Sequence, residues 1–127
     1  MTNLTQKIKQ KNERLMHKII RYLHSRDLFY DVILYANGRK YASEQTKDSS
    51  PLSTYGIPYY DLGEADVKQT DEYANPDTVT LVFEGPLYDA MNLYYPNTVE
   101  QDLQAIAAKY GMYFEQGHAW SASCWPA

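Results

Sequence analysis

Four residues of this chain carry imidazole or thiol side chains: His17, His24, His118 and Cys124. His17 and His24 are seven positions apart, about 10 Å along a helix, which is too far for the usual pair of metal ligands. A zinc site would need one helix histidine together with His118, Cys124 and a carboxylate. A reactive thiolate at Cys124 would need His118 as its base. No spacing demands either chemistry, so we expect no metal, no cofactor, no catalytic residue and no enzyme activity.

The carboxylates offer a different chemistry, because they are concentrated in segment 63–77 between two predicted strands. A polar segment of this kind lacks the burial that raises carboxylate pKa values for acid–base catalysis. It is either a solvated loop or a surface that steers and binds a basic partner. Aromatic anchors within a charged rim are typical of binding hot spots. The predicted partner-binding residues are Tyr59, Tyr60, Asp61, Glu64, Asp66, Asp71 and Glu72.

The charge of the chain is divided unequally. Residues 1–26 carry a balance of +6 and residues 27–127 a balance of −10, for a net charge of −4. Basic side chains on the predicted first helix can contact phosphates, so nucleic-acid binding is the alternative function. We interpret these cations as distributed around the helix, and the pI near 5.3 opposes direct nucleic-acid binding. The cations concerned are Lys7, Lys9, Lys11, Arg14, Lys18 and Arg21.

The elements that position these residues follow from periodicity and turn signals. Asn37-Gly38 predicts a type I′ hairpin, Pro58 predicts an edge strand, and Thr98 with Gln101 predicts a capping box. Gly111 is placed to end the last helix. The predicted helices are 3–26, a short one from 85, and 98–110; the predicted strands are 28–36, 39–44, 57–62, 78–84, 112–116 and 119–122, with a loop over 46–56.

This order predicts an α+β fold, a twisted antiparallel sheet with a long N-terminal helix and two shorter helices packed on one face. The length predicts a single α+β domain over residues 1–127. One cysteine and the lack of a signal-peptide pattern or a long apolar run favour a soluble protein of the cytoplasm, with no membrane partner.

Several segments resemble small anti-defence proteins of phages and mobile elements of low-GC Gram-positive bacteria. The resemblance rests on segments 28–32, 35–38, 75–88 and 110–117. It implies a non-enzymatic protein similar to type II-A anti-CRISPR proteins, which bind Cas9. The implied partner is Cas9 or its guide-RNA complex in the bacterial host, held by an acidic, Tyr-rich surface that interferes with DNA binding. Cas9 holds its nucleic acids through surfaces rich in Arg and Lys, which such a surface complements.

Overall fold

The computed structural model describes residues 4–127, which form an antiparallel sheet with helices on one face. This confirms the predicted α+β class and its long N-terminal helix. The sheet order is β3-β4-β2-β1-β5-β7-β6. The elements are α1 (Gln6–Ser25), β1 (Val32–Ala36), β2 (Arg39–Ala42), β3 (Ser50–Thr54), β4 (Ile57–Glu64), a 3-10 turn (Val67–Gln69), β5 (Thr80–Phe83), α2 (Gly85–Met91), α3 (Val99–Ala108), β6 (Met112–His118) and β7 (Ser121–Pro126).

The main core lies between the sheet and the three described helices. Side chains alternate along each strand, so Leu34 and Leu81 face the helices while Ile33 and Val82 face the other way. Helix α1 buries its apolar stripe completely at Leu15, Ile19 and Leu23. Burial of each such side chain contributes roughly 1.5–3 kcal/mol to folding. Helix α1 packs on β1, β3 and β4, while α3 packs on β6 and on α1.

The opposite sheet face is partly covered by the acidic segment between β4 and β5. Val67 and Ala74 from this segment pack with Tyr35 of β1 in a second, smaller core. The Tyr35 hydroxyl and the Thr70 Oγ1 lie 3.0 Å apart. The segment is therefore an ordered cover of the sheet and not only a solvated loop.

The hairpins explain where the predicted strands succeed and fail. Asn37 and Gly38 have φ of 57° and 76°, as a type I′ turn requires. Tyr55 and Gly56 form a second turn of this kind, with φ of 52° and 74°. The loop predicted over 46–56 is therefore wrong at β3. The edge position predicted for β4 is also wrong, because β4 lies between β3 and β2. Pro58 is tolerated because β2 pairs only with residues 60–64.

Two predicted boundaries also change. The capping box predicted for Thr98 and Gln101 is wrong, because the Thr98 Oγ1 donates to the Asp102 carboxylate. The Asn97 Oδ1 accepts the Val99 N–H at the start of the helix instead. The last strand runs to Pro126, which places Cys124 inside it. Gly111 has the predicted left-handed φ, 73°, but α3 ends earlier than predicted, at Ala108 with Lys109 as its C-cap. Within residues 4–127, no helix has both the length and the apolar character needed to cross a bilayer.

Candidate functional site

Two of the predicted partner-binding residues belong to the helix face of β4. Tyr59 is 5% exposed, its ring packs edge-on against Tyr41, and its hydroxyl lies 3.0 Å from His17 Nε2. This burial raises the pKa of Tyr59 to about 12 and lowers that of His17. The Asp61 carboxylate pairs with the Arg39 guanidinium at 3.1 Å. Tyr59 is thus a core residue, and Asp61 already has a cationic partner.

The other predicted residues lie in separate places. Tyr60 is half-buried on the opposite face of β4, and Glu64 is exposed at the end of this strand. Asp71 is 1% exposed, and with the exposed Glu72 it contacts His118 at the β6–β7 turn. Four strand spacings of about 4.8 Å, roughly 19 Å in all, separate β4 from β7. Together with the exposed Asp66, the seven residues do not form one continuous surface, which corrects the sequence-based grouping.

A different group of carboxylates does come together, at the end of the sheet where β1 begins. It lines two adjoining depressions of about 390 and 280 Å³ that share Glu44. Among the described residues, neither depression is lined by Lys or Arg. The four carboxylates are exposed, and the aromatic side chains are exposed or half-buried. We call this surface the acidic groove: Asp27, Tyr30, Asp31, Glu44, Tyr60, Glu84 and Trp120.

Backbone hydrogen bonds hold the acidic groove in shape. The Asp31 N–H donates to the Glu44 carboxylate at 3.0 Å, and the Glu84 N–H donates to the Asp31 carbonyl at 3.0 Å. The Tyr30 hydroxyl donates to Asp27 Oδ1 at 3.1 Å, and this contact raises the pKa of Tyr30. Three segments far apart in sequence thus present their carboxylates at one place.

Sequence reasoning missed the acidic groove, although one signal for it was present. The register of the Asn37-Gly38 hairpin pairs Ile33 with Ala42, which carries Asp31 next to Glu44. Only the long-range pairing of β1 with β5 and of β5 with β7 adds Glu84 and Trp120. No local sequence pattern around Glu84 or Trp120 predicts these two strand pairings.

Most of the basic side chains of α1 lie on one face of the helix, which their spacing in the sequence did not suggest. At about 100° per residue, five of the six predicted cations fall within an arc of about 80°, opposite the buried stripe. All five are exposed, and they extend for about 21 Å along the helix. The interpretation of scattered cations is therefore wrong. We call this surface the basic stripe: Lys7, Lys11, Arg14, Lys18 and Arg21.

The basic stripe has few partners within the molecule. Among residues 4–127, no ion pair joins it to a carboxylate. Lys18 Nζ lies 5.3 Å and the Arg21 guanidinium carbon 4.6 Å from the centre of the Tyr55 ring. Hydrogen bonding from Lys18 lowers the pKa of Tyr55. The β3–β4 turn therefore contacts the C-terminal half of the stripe and leaves Lys7, Lys11 and Arg14 facing solvent.

The alternative of chemistry at Cys124 is contradicted by its position. Cys124 is fully buried on the helix face of β7, and burial raises the pKa of its thiol to about 12. A thiol in this position is neither a ready thiolate nor an accessible metal ligand. His118 contacts Asp71 and Glu72 instead, with its Nε2 3.5 Å from Asp71 Oδ1 and 2.6 Å from Glu72 Oε1.

A third depression, about 660 Å³, lies between the start of α1, the β1–β2 turn and the acidic segment. Its charged lining is mixed, with Lys9, Arg39 and Lys68 beside Asp66 and Asp77. Mixed charge gives no strong field of one sign, in contrast to the acidic groove.

Comparison with known proteins adds no relative from which a function can be transferred. No protein-family model, curated protein or solved structure matches this chain.

Proposed function

We propose that this protein is a non-enzymatic inhibitor that binds a basic protein surface of a bacterial defence nuclease through the acidic groove. The observation that carries the proposal is the set of four exposed carboxylates and three aromatic side chains around two adjoining depressions that have no Lys or Arg in their lining among the described residues. Partner Arg side chains pair with carboxylates in a bidentate fashion and stack on aromatic faces. Such a surface gives fast, salt-dependent association.

Cas9 is the first partner to test. Cas9 is the partner that the resemblance to type II-A anti-CRISPR proteins implies, and the nucleic-acid channels of Cas9 are rich in Arg and Lys. A protein held against such a channel competes with DNA for the same cations. We therefore expect binding to guide-loaded Cas9 to fall with added salt and with prior binding of target DNA.

The test compares two triple variants that remove the same charge. The groove variant is Asp27→Asn, Glu44→Gln, Glu84→Gln. The control variant neutralises three exposed carboxylates elsewhere: Asp48→Asn, Glu100→Gln, Glu115→Gln. Binding to guide-loaded Cas9 is measured by biolayer interferometry at low and physiological salt. We expect the groove variant to bind at least ~10-fold more weakly and the control variant to bind like the wild type.

Two results would reject parts of this proposal. Equal weakening of both triple variants would show a non-specific charge effect and reject the groove as the binding surface. Failure of the wild type to bind at low salt would reject Cas9 as the partner. A third variant, Glu64→Gln with Asp66→Asn, tests two exposed members of the sequence-predicted cluster, and a loss confined to this variant would place the contact there.

A second candidate function, nucleic-acid binding by a mobile-element accessory protein, is favoured by the basic stripe. Five exposed cations on one arc of α1 match the spacing of a surface that follows a phosphate backbone. The net charge of −4 opposes it, so binding would depend on the stripe alone.

The second candidate has its own matched pair of variants. The stripe variant removes the three cations of the stripe that face solvent, by Lys7→Gln, Lys11→Gln and Arg14→Gln. The control variant removes three exposed cations elsewhere, by Lys9→Gln, Lys47→Gln and Lys109→Gln. In a fluorescence-anisotropy titration with DNA and RNA, the stripe variant should lose about 0.9 from the log–log salt slope for each phosphate contact removed. The lack of wild-type binding at low salt would exclude this function.

A further inference from the structure

His118, Asp71 and Glu72 form a cluster that neither function above uses. Each residue offers one potential ligand atom, and the three atoms lie within 4.8 Å of one another. The residues come from two separate parts of the fold, since Asp71 and Glu72 belong to the acidic segment and His118 ends β6.

The buried carboxylate of Asp71 is the feature that indicates a ligand. Asp71 is 1% exposed, and its Oδ1 accepts the Tyr73 N–H at 2.9 Å. Its Oδ2 is also buried and has no hydrogen-bond partner among residues 4–127. A buried carboxylate is costly unless hydrogen bonds or a cation compensate it. The nearby Lys68 ammonium is engaged by the carbonyl oxygens of Glu72 and Ala74.

The surroundings hold His118 and Asp71 in place before any ligand binds. The His118 ring stacks on Trp120 with 4.4 Å between ring centres and also contacts the Tyr73 ring at 5.1 Å. Gly117 permits this approach, because a Cβ there would lie 3.0 Å from Tyr73 Cβ. The Asp71 N–H donates to the Val67 carbonyl and fixes the loop. Glu72 is the most exposed of the three, with its side chain 67% exposed, so it has room to adjust.

We propose that His118 Nε2, an Asp71 oxygen and a Glu72 oxygen bind one divalent first-row transition-metal ion, with Zn²⁺ the best match. Zn²⁺ takes imidazole and carboxylate ligands at about 2.0–2.2 Å, which separates tetrahedral ligand atoms by about 3.3 Å. The 3.5 Å between Nε2 and Asp71 Oδ1 fits this geometry. The 2.6 Å to Glu72 Oε1 is too short and must widen, which the exposed glutamate allows.

Binding has a defined proton balance. The ligating Nε2 must carry no proton, so any proton on it is released to solvent while Nδ1–H is retained. Water completes the coordination. Mg²⁺ and Ca²⁺ are poor matches, because they prefer oxygen ligands alone. The ion would join the acidic segment to the β6–β7 hairpin, and this inference is independent of the proposed function.

The test uses the full-length, untagged, chelator-treated protein. Calorimetric titration with ZnCl2 should give one equivalent bound and a higher melting temperature, and MgCl2 should give neither. His118→Gln and Glu72→Gln should each weaken Zn²⁺ binding at least ~10-fold, whereas His24→Gln, an exposed histidine outside the cluster, should not. Both cluster variants change partly exposed side chains, and circular dichroism checks that each is folded.

An NMR titration locates the ion directly. Zn²⁺ should shift the ring resonances of His118 and leave those of His24 unchanged. The proposal is overturned if the wild type binds less than one equivalent, if His118→Gln binds as tightly as the wild type, or if His24→Gln causes the larger loss.

Discussion

Asn12 lies within the apolar stripe of α1, and its side chain is fully buried. Its Nδ2 donates to Asn37 Oδ1 at 3.1 Å and to the Asp77 carbonyl at 2.9 Å. The amide therefore ties the helix to the β1–β2 turn and to the acidic segment. From the sequence Asn12 is only an interruption of the stripe, because its two acceptors are 25 and 65 positions away.

Replacing Asn12 with Ala should destabilise the fold by about 1–3 kcal/mol, because the partly buried Asp77 carbonyl loses its donor and a small void forms. The free energy of unfolding is measured by urea denaturation. Gln10→Ala, at an exposed position of the same helix, should stay within about 0.5 kcal/mol of the wild type. If the Asn12→Ala protein were as stable as the wild type, the hydrogen bonds of the Asn12 amide would not contribute to the stability of the fold.

Tyr22 supplies a pH-dependent contact between α1 and α3. Its hydroxyl donates to Asp102 Oδ2 at 2.6 Å, and this bond lowers the pKa of Asp102 below its ordinary 3.8. A carboxylate with a lowered folded-state pKa adds stability above its ordinary pKa and loses it as pH falls through the folded-state pKa.

Tyr22→Phe should therefore reduce the urea midpoint at neutral pH, and the deficit should shrink as the pH falls through the lowered folded-state pKa of Asp102, because the carboxyl group is then protonated in both states. Tyr113→Phe, which changes an exposed tyrosine, serves as the control. A deficit that is constant with pH would show that the hydroxyl does not act through the Asp102 charge.

At the scale of elements, turn chemistry was the most reliable signal. Asn37-Gly38 predicted the first hairpin correctly because few residues adopt its left-handed angles. Tyr55-Gly56 makes the same turn with a weaker signature, and β3 between Ser50 and Thr54 is mostly exposed and polar. An edge strand has only one neighbour and little burial, so its sequence resembles a loop.

The start of α2 depends on a close approach between elements. Gly85 has φ of +61°, and a Cβ there would lie 2.8 Å from Asp31 Oδ2. Gly111 has φ of +73°, and a Cβ there would have nothing within 4 Å. A substitution at Gly111 therefore measures only the cost of the left-handed backbone.

Gly111→Ala should cost about 1–2 kcal/mol of unfolding free energy for the left-handed backbone. Gly85→Ala should cost at least about 1 kcal/mol more, because the methyl group also displaces the Asp31 carboxylate. Thermal and urea unfolding of the two variants measure the difference. Equal losses would show that the carboxylate moves aside freely and that the acidic groove is not held in place there.

At the scale of the whole molecule, the basic stripe is not neutralised by carboxylates of the described residues. Among residues 4–127, the basic stripe makes no ion pair, and its members are like-charged neighbours three or four residues apart. Like charges at this spacing destabilise a helix by about 0.2–0.5 kcal/mol per pair. The arrangement is thus poor for stability and suited to contacts with other molecules.

Added salt should therefore stabilise the protein. Between about 0.02 and 0.3 M NaCl the Debye length falls from about 20 Å to about 6 Å, which screens the repulsion along α1. The free energy of unfolding should therefore rise with salt. It should rise less in the triple variant that carries Lys7→Gln, Lys11→Gln and Arg14→Gln than in the wild type. A decrease with salt would show that long-range attraction between α1 and the acidic groove dominates instead.

The sequence by itself determined most of the elements, though not β3, because helix periodicity, β-branched alternation and turn residues act over a few positions. It determined the α+β class, the hairpin at Asn37-Gly38 and the separation of charge along the chain. Tertiary structure decided which carboxylates meet. Glu44 reaches Asp31 through a local hairpin, but Glu84 and Trp120 join them only through long-range strand pairing. Burial likewise removed Tyr59, Asp71 and Cys124 from the surface, because Tyr59 and Cys124 face the helices and Asp71 packs against the β6–β7 hairpin, contacts that form only when distant segments meet.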